Sequence, residues 1–237
     1  MEQQRNKEDW YKANDYFWQD GGYGGSTDDE AMIGDEGGEQ DGKEGLSFLD
    51  RFLHTRAPLG HRQTTRAVDA GAGVGRITKH VLLKRFDCVH LIEADCRYSK
   101  RSRQYLGKKR SDKCTFSCTR IEDMTVQSHS DLVDSDLVWL QWTLQYLTDR
   151  DAVHALQTLA ACLVRGTGVL LVKENRPYGG AREDRFQMET PACSGRYDIT
   201  RTDNHHRLLF QRAGLTVDHM EEGVETNTYA LTVTSNV

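Results

Sequence analysis

At 237 residues the chain has the length of one α/β domain with extensions, and it shows no internal repeat. Thirty-one Lys and Arg face 36 Asp and Glu, a formal net charge of -5, so the overall field argues against a nucleic-acid partner and leaves room for a basic one. No apolar run approaches the roughly 20 residues of a membrane span, and the N-terminus MEQQRNKEDW has no apolar signal core, so a cytoplasmic or nuclear protein without membrane association is expected.

Residues 1–20 place Trp10, Tyr11, Tyr16, Phe17 and Trp18 among charged residues, with Trp10, Asn14, Phe17 and Trp18 loosely at helical spacing. An amphipathic helix is expected, its rings either packed on the domain or walling a pocket as a lid. Residues 21–45 are rich in Gly, Asp and Glu, a composition that buries little apolar surface, and are read as a mobile acidic loop. Such acids serve as a solvated linker or attract a positively charged peptide. Leu46 to Thr55 carries Leu46, Leu49, Phe52 and Leu53 on one helical face. The expected organisation is an extension over 1–45 and a main domain over 46–237. The six cysteines form no Cys-x-x-Cys pair and are expected to be reduced, buried thiols rather than ligands or bridges, with no metal site.

The apolar run Ala67-Val68-Asp69-Ala70 meets Gly71, Gly73 and Gly75 and turns into a helix expected from Val74 to Arg85. Glycines here let the backbone turn tightly and approach a ligand at a helix N-terminus. Their spacing, Gly-x-Gly-x-Gly, differs from the Gly-x-Gly-x-x-Gly of dinucleotide folds and favours S-adenosylmethionine over NAD. Val89 to Ile92 is a second strand ending in Glu93, where a carboxylate can accept from both hydroxyls of an adenosine ribose. A basic helix over Arg97–Lys109 and a third strand over Lys113–Thr119 follow. Ile121 and Glu122 then stand where the adenine side of the crevice is expected. Asp136 to Trp142 is apolar enough for an interior parallel strand, with Gln141 and Trp142 at its ligand-facing end. Thr148 caps a helix that Gly166 ends, and Gly168 to Val172 runs into Lys173-Glu174-Asn175. Arg176 to Thr200 shows no sustained period and is read as a long irregular insertion. A helix over Arg201–Ala213 and an antiparallel edge pair over Leu215–Val224 and Thr228–Thr234 complete the chain.

The expected fold is α/β, a doubly wound, Rossmann-like, seven-strand methyltransferase sheet with an N-terminal helical extension. The motifs Asp69-Ala-Gly-Ala-Gly-Val-Gly-Arg-Ile-Thr-Lys79, Trp139-Leu-Gln-Trp142 with Leu147-Thr-Asp149, and Val172-Lys-Glu-Asn175 narrow it further. With them the chain resembles the α-N-terminal protein methyltransferases, which methylate the free amine of proteins beginning Xaa-Pro-Lys. The similarity runs from about residue 46 onward and weakly over the N-terminal helix. It implies S-adenosyl-L-methionine as cofactor, with S-adenosyl-L-homocysteine as product, and exposed Xaa-Pro-Lys N-termini as substrates; a monomer is expected. Gly71 and Gly73 would admit the methionine part and Arg76 would pair with its carboxylate. Glu93 would hold the ribose, Ile121 and Glu122 would border the adenine, and Gln141 would contact the amino-acid portion. Trp142, Tyr146, Asn175 and Trp18, or Tyr16 beside it, would face the acceptor. The chain departs from the family at two places: Tyr146 stands where a His is expected, and Arg196 where an Asp is expected. Asp198, two residues on, takes the general-base assignment, with Glu183 and Asp184 as competitors. The replacement of the family's Gly-Tyr continuation by Asp35-Glu36-Gly37 bears on peptide selectivity. Two other readings use the same cofactor site: methylation of a small molecule or RNA, and an inactive cofactor-binding regulatory subunit.

Overall fold

The computed structural model describes residues 2–18, 35–55, 64–188 and 197–234. In chain order the strands are β1 (Arg66–Ala70), β2 (Cys88–Glu93), β3 (Cys114–Cys118), β4 (Leu137–Gln141), β5 (Val169–Asn175), β6 (Arg185–Met188), β7 (Tyr197–Thr200), β8 (Leu215–Glu222) and β9 (Thr226–Val233). The helices are α1 (Glu2–Tyr16), α2 (Asp35–Thr55), α3 (Arg76–His80), α4 (Cys96–Leu106), α5 (Lys108–Ser111), α6 (Asp149–Ala161) and α7 (Asp203–Arg212). Seven strands form one sheet in the order β3-β2-β1-β4-β5-β9-β8. β1 to β5 are parallel and β9 and β8 run antiparallel at one edge. This is the doubly wound seven-strand sheet expected above. Strands β1, β4 and β5 are apolar on both faces because each face carries a buried cluster: Val138, Leu140, Leu170 and Val172 on one side, Leu137, Trp139, Val169 and Leu171 on the other. No helix among the described residues is long and apolar enough to cross a membrane.

The acidic stretch differs from expectation. Residues 35–45 form the first half of α2 rather than a mobile loop. Gly38, Asp41, Gly42, Gly45, Phe48, Leu49 and Phe52 are all buried, and their spacing is that of one helical face. A Cβ on Gly42 would stand 2.6 Å from Cβ of His80, and one on Gly45 would stand 3.3 Å from the Trp139 ring. The glycines here bring α2 against α3 and β4. Residues 21–34, including Met32-Ile33-Gly34, lie outside the described residues.

Three further expectations need correction. The helix after the glycine turn is shorter, because the backbone leaves the helical region at Val81 (φ -123, ψ -67) and resumes as a single turn over Leu82–Lys84. The segment read as irregular carries a two-stranded ribbon in which β6 pairs with β7, Arg185 opposite Thr200 and Gln187 opposite Asp198. Cys96 and Cys118, read as reduced and buried, are exposed and joined by a disulfide. Parallel pairing of β2 with β3 sets Glu93 opposite Cys118 and leaves the two Cα atoms 5.0 Å apart, within the range a bridge requires. Cys88, Cys114 and Cys162 are free thiols; Cys193 lies outside the described residues.

Candidate active site

A cleft opens beyond the C-terminal ends of β1, β2 and β4, where open α/β sheets place ligands. The glycine turn forms its floor. Gly71 (φ +72) and Gly73 (φ +52) take left-handed conformations, and a Cβ on Gly71 would collide with the Thr143 hydroxyl. The N–H groups of Gly71 and Ala72 both donate to the Ile92 carbonyl at 2.9 and 3.0 Å, which ties the end of β1 to the end of β2. Asp69 accepts from the Thr78 amide and hydroxyl at 3.0 and 2.6 Å, so it fixes the start of the helix after the turn. Burial pushes its carboxyl up to about 6 against those two bonds. Glu93 accepts from the Gly73 and Asp95 amides at 2.9 and 3.1 Å. Burial raises its pKa too, and carboxylate oxygens with further lone pairs can still accept from ligand hydroxyls.

Arg76 lines the cleft from the first turn of α3, with its guanidinium carbon 5.0 Å from the centroid of the Trp142 ring. Nη1 is paired with Asp41. Asp41 also accepts from Lys173 Nζ at 2.5 Å and from Gln141 Nε2 at 3.1 and 3.0 Å. Burial pushes the Asp41 carboxyl up, but the two cations outweigh it and hold the group below the usual carboxylate range.

The other end of the cleft is aromatic. Trp18, Trp142 and Tyr146 line it together with Tyr11, Asn14 and Leu147. Trp18 meets Tyr146 edge-on at 5.4 Å, and Trp10 and Asn14 donate to the Tyr146 carbonyl at 2.7 and 3.4 Å. The N-terminal helix is thus fastened to the turn that follows β4. Trp142 sits at φ +53, uncommon for a bulky residue, and its buried indole N–H has no partner among the described residues. Glu174 stabilises this turn from below by accepting from the Thr143 and Leu144 amides, both at 2.8 Å. Burial raises its carboxyl to about 7. Arg201, fully buried, donates to the Leu144 and Leu147 carbonyls at 2.7 Å each and to Asp149 at 2.9 Å.

Of the residues anticipated from sequence, Gly71, Gly73, Arg76, Glu93, Ile121, Glu122, Gln141, Trp18, Trp142 and Tyr146 line this one cleft. Asn175 and Asp198 do not. Asn175 donates to Gln145 at 3.0 Å. Asp198 is buried in the ribbon beside Tyr197, whose ring stacks on Trp10 at 5.3 Å, and strand alternation turns the two side chains to opposite faces. Asp184 accepts from the Thr202 amide and hydroxyl and pairs with His205 at 2.7 Å, which anchors the start of α7; Glu183 is exposed. The Tyr16 side chain lies outside the described residues. Asp41 and Arg201 carry no local signature in the sequence, because the groups they bind lie 35 or more positions away.

The family model described as AdoMet dependent proline di-methyltransferase matches residues 6–233. The chain belongs to this family. It is 29% identical over 222 residues to N-terminal Xaa-Pro-Lys N-methyltransferase 1 of Danio rerio, covering 90% of this chain and 87% of the relative. It is 30% identical over 223 residues to alpha N-terminal protein methyltransferase 1 of Arabidopsis thaliana, covering 88% and 72%. A SAM-dependent methyltransferase of Leishmania major shares the fold at a TM-score of 0.70 and 24% identity, over 94% of this chain and 83% of the other. As a member of the family the chain is an S-adenosylmethionine-dependent methyltransferase. The cleft fits that cofactor: it offers a cation at the glycine turn, a half-buried carboxylate at the end of β2, the apolar Ile121 nearby and an indole N–H without a partner among the described residues.

Proposed function

We propose that this enzyme transfers methyl groups to the free α-amine of proteins beginning Xaa-Pro-Lys: the Danio rerio relative is named for N-terminal Xaa-Pro-Lys and the Arabidopsis thaliana one for the alpha N-terminus of proteins. The observation that carries the reading is a single cleft lined at one end by Gly71, Gly73, Arg76 and Glu93 and at the other by Trp18, Trp142 and Tyr146. Bound S-adenosylmethionine supplies an activated methyl group. Arg76 would hold its carboxylate, Glu93 its ribose hydroxyls, Ile121 and Glu122 would border its adenine, and Gln141 would lie beside its amino-acid portion. The aromatic end then receives the acceptor. An α-amine with a reference pKa of about 7.7 to 8.0 is largely protonated at neutral pH, and only the neutral form has a lone pair to attack with. Walls formed by Trp18, Trp142 and Tyr146 strip water from the amine and lower its pKa, and the Arg76 cation on the Trp142 ring acts in the same direction. On this account the neutral amine comes from desolvation. Asn175 supports the acceptor end through Gln145, and Asp198, buried in the β6–β7 ribbon, is outside the lining of the cleft.

The test is incubation of the pure protein with labelled donor and a peptide beginning Ser-Pro-Lys, beside its N-acetylated copy. Label should enter only the free-amine peptide. Label in the acetylated copy would defeat the amine assignment, and none in either would point to a small-molecule acceptor or to an inactive subunit.

A further inference from the structure

We infer that Asp41 is the positioning residue for the carboxylate end of the cofactor, acting through Arg76; the inference rests on Arg76 meeting that carboxylate. Asp41 comes from α2, and no described residue of that helix lines the cleft. Its carboxylate nonetheless gathers the side chains that approach the methionine end: Arg76 on one oxygen, Lys173 at 2.5 Å on the other, and Gln141 Nε2 across both. Gln141 is held from its other side by the Trp139 indole N–H at 3.0 Å. Every donor in the group is therefore oriented by a fixed acceptor, and the whole group is buried.

The charges explain why this arrangement suits a second carboxylate. One Asp41 carboxylate stands between two buried cations, and among the described residues the only other acid paired with Lys173 is Glu44, at 3.8 Å and largely exposed to solvent. Arg76, held by this buried acceptor, stands in a desolvated place next to the glycine turn, where a carboxylate of the ligand is attracted. Arg76 has five N–H donors in a planar fork, more than Asp41 can take, and Trp142 beneath the guanidinium limits its tilt. Without Asp41 the guanidinium loses its fixed acceptor, and the preorganisation of the site is lost with it.

Two ligands separate this role from a general structural one. S-adenosylhomocysteine carries the amino-acid carboxylate; 5′-methylthioadenosine keeps the adenosine and thioether but lacks the amino acid. Calorimetric titration of the full-length protein with each gives a selectivity ratio. Asp41→Asn should weaken S-adenosylhomocysteine about tenfold or more and methylthioadenosine less than twofold. Asp41→Asn leaves Lys173 buried without its partner, so Asp41→Asn/Lys173→Met removes the opposite charges together and should show the same selective loss. Equal weakening of both ligands, or no weakening, in the variants that fold overturns the inference. Arg76→Met is the control for the premise: a selective loss there with none at Asp41 rejects Asp41 alone, whereas no selectivity at Arg76 rejects the Arg76 assignment itself.

Discussion

Glu174 shows how one residue can serve the site without touching a ligand. It is almost completely buried, one oxygen accepts two amides of the turn after β4, and the other has no partner among the described residues. Burial raises its folded-state pKa to about 7 from an ordinary 4.5. Between those values the folded state holds more protons than the unfolded one, so this residue's contribution to stability is complete below about pH 4.5 and is lost as pH rises through about 7. Asp69 and Glu93 titrate in the same direction, while His206, driven down to about 3 by burial, works the opposite way on the acid side. Only a difference between variants isolates Glu174. Glu174→Gln keeps an oxygen for both amides and removes the titration. Its unfolding free energy minus that of the wild type should grow by about 3 kcal/mol between pH 4.5 and 8. Urea midpoints at several pH values measure this, and parallel profiles would refute it.

At the scale of elements, α2 decides how the N-terminal region meets the sheet. Exposed helical glycines normally cost about 1 kcal/mol relative to alanine. Gly42 is different, because an alanine Cβ there would press on Cβ of His80, an atom that no side-chain rotation can move. Gly42→Ala should therefore destabilise the protein by about 1 to 3 kcal/mol despite its better helix propensity, as read by thermal unfolding. A rise in Tm would show that α2 does not pack as closely as described. This helix also marks a limit of sequence reading. The strand-to-helix units from β1 to β5 were legible because their apolar periods and Gly71, Gly73 and Glu93 are local signals. The first half of α2 was not, because glycine used for close packing has the same composition as glycine in a loop. The β6–β7 ribbon was missed for a related reason: its strands have only four residues each and one of them, β6, exposes Phe186. Arg201, which joins that ribbon to the acceptor turn and to Asp149, is visible only once the chain is folded. Arg201→Lys removes the fork that reaches two carbonyls and a carboxylate at once, and should cost about 3 kcal/mol or more in the same measurement.

For the molecule as a whole, the disulfide between Cys96 and Cys118 is the covalent tie that the sequence did not disclose. A separation of 22 residues is uninformative by itself; parallel pairing of β2 with β3 is what brings the two positions together. The bridge joins the start of α4 to the end of β3, on the half of the sheet where Glu93 and Ile121 border the cleft. Closing a loop of this length restricts the unfolded chain by about 3 kcal/mol. In a domain of this size each kcal/mol corresponds to about 2 to 4 °C, so reduction should lower Tm by about 6 to 12 °C. Both sulfurs belong to exposed residues, so dithiothreitol can reach them without prior unfolding. Cys96→Ser should unfold at the temperature of the reduced wild type and should not respond to reductant. Cys88 and Cys114 are half-buried and form no disulfide among the described residues, and serine at either position should leave the reductant response intact. A wild-type Tm that dithiothreitol does not move would mean that the bridge does not hold the folded chain together.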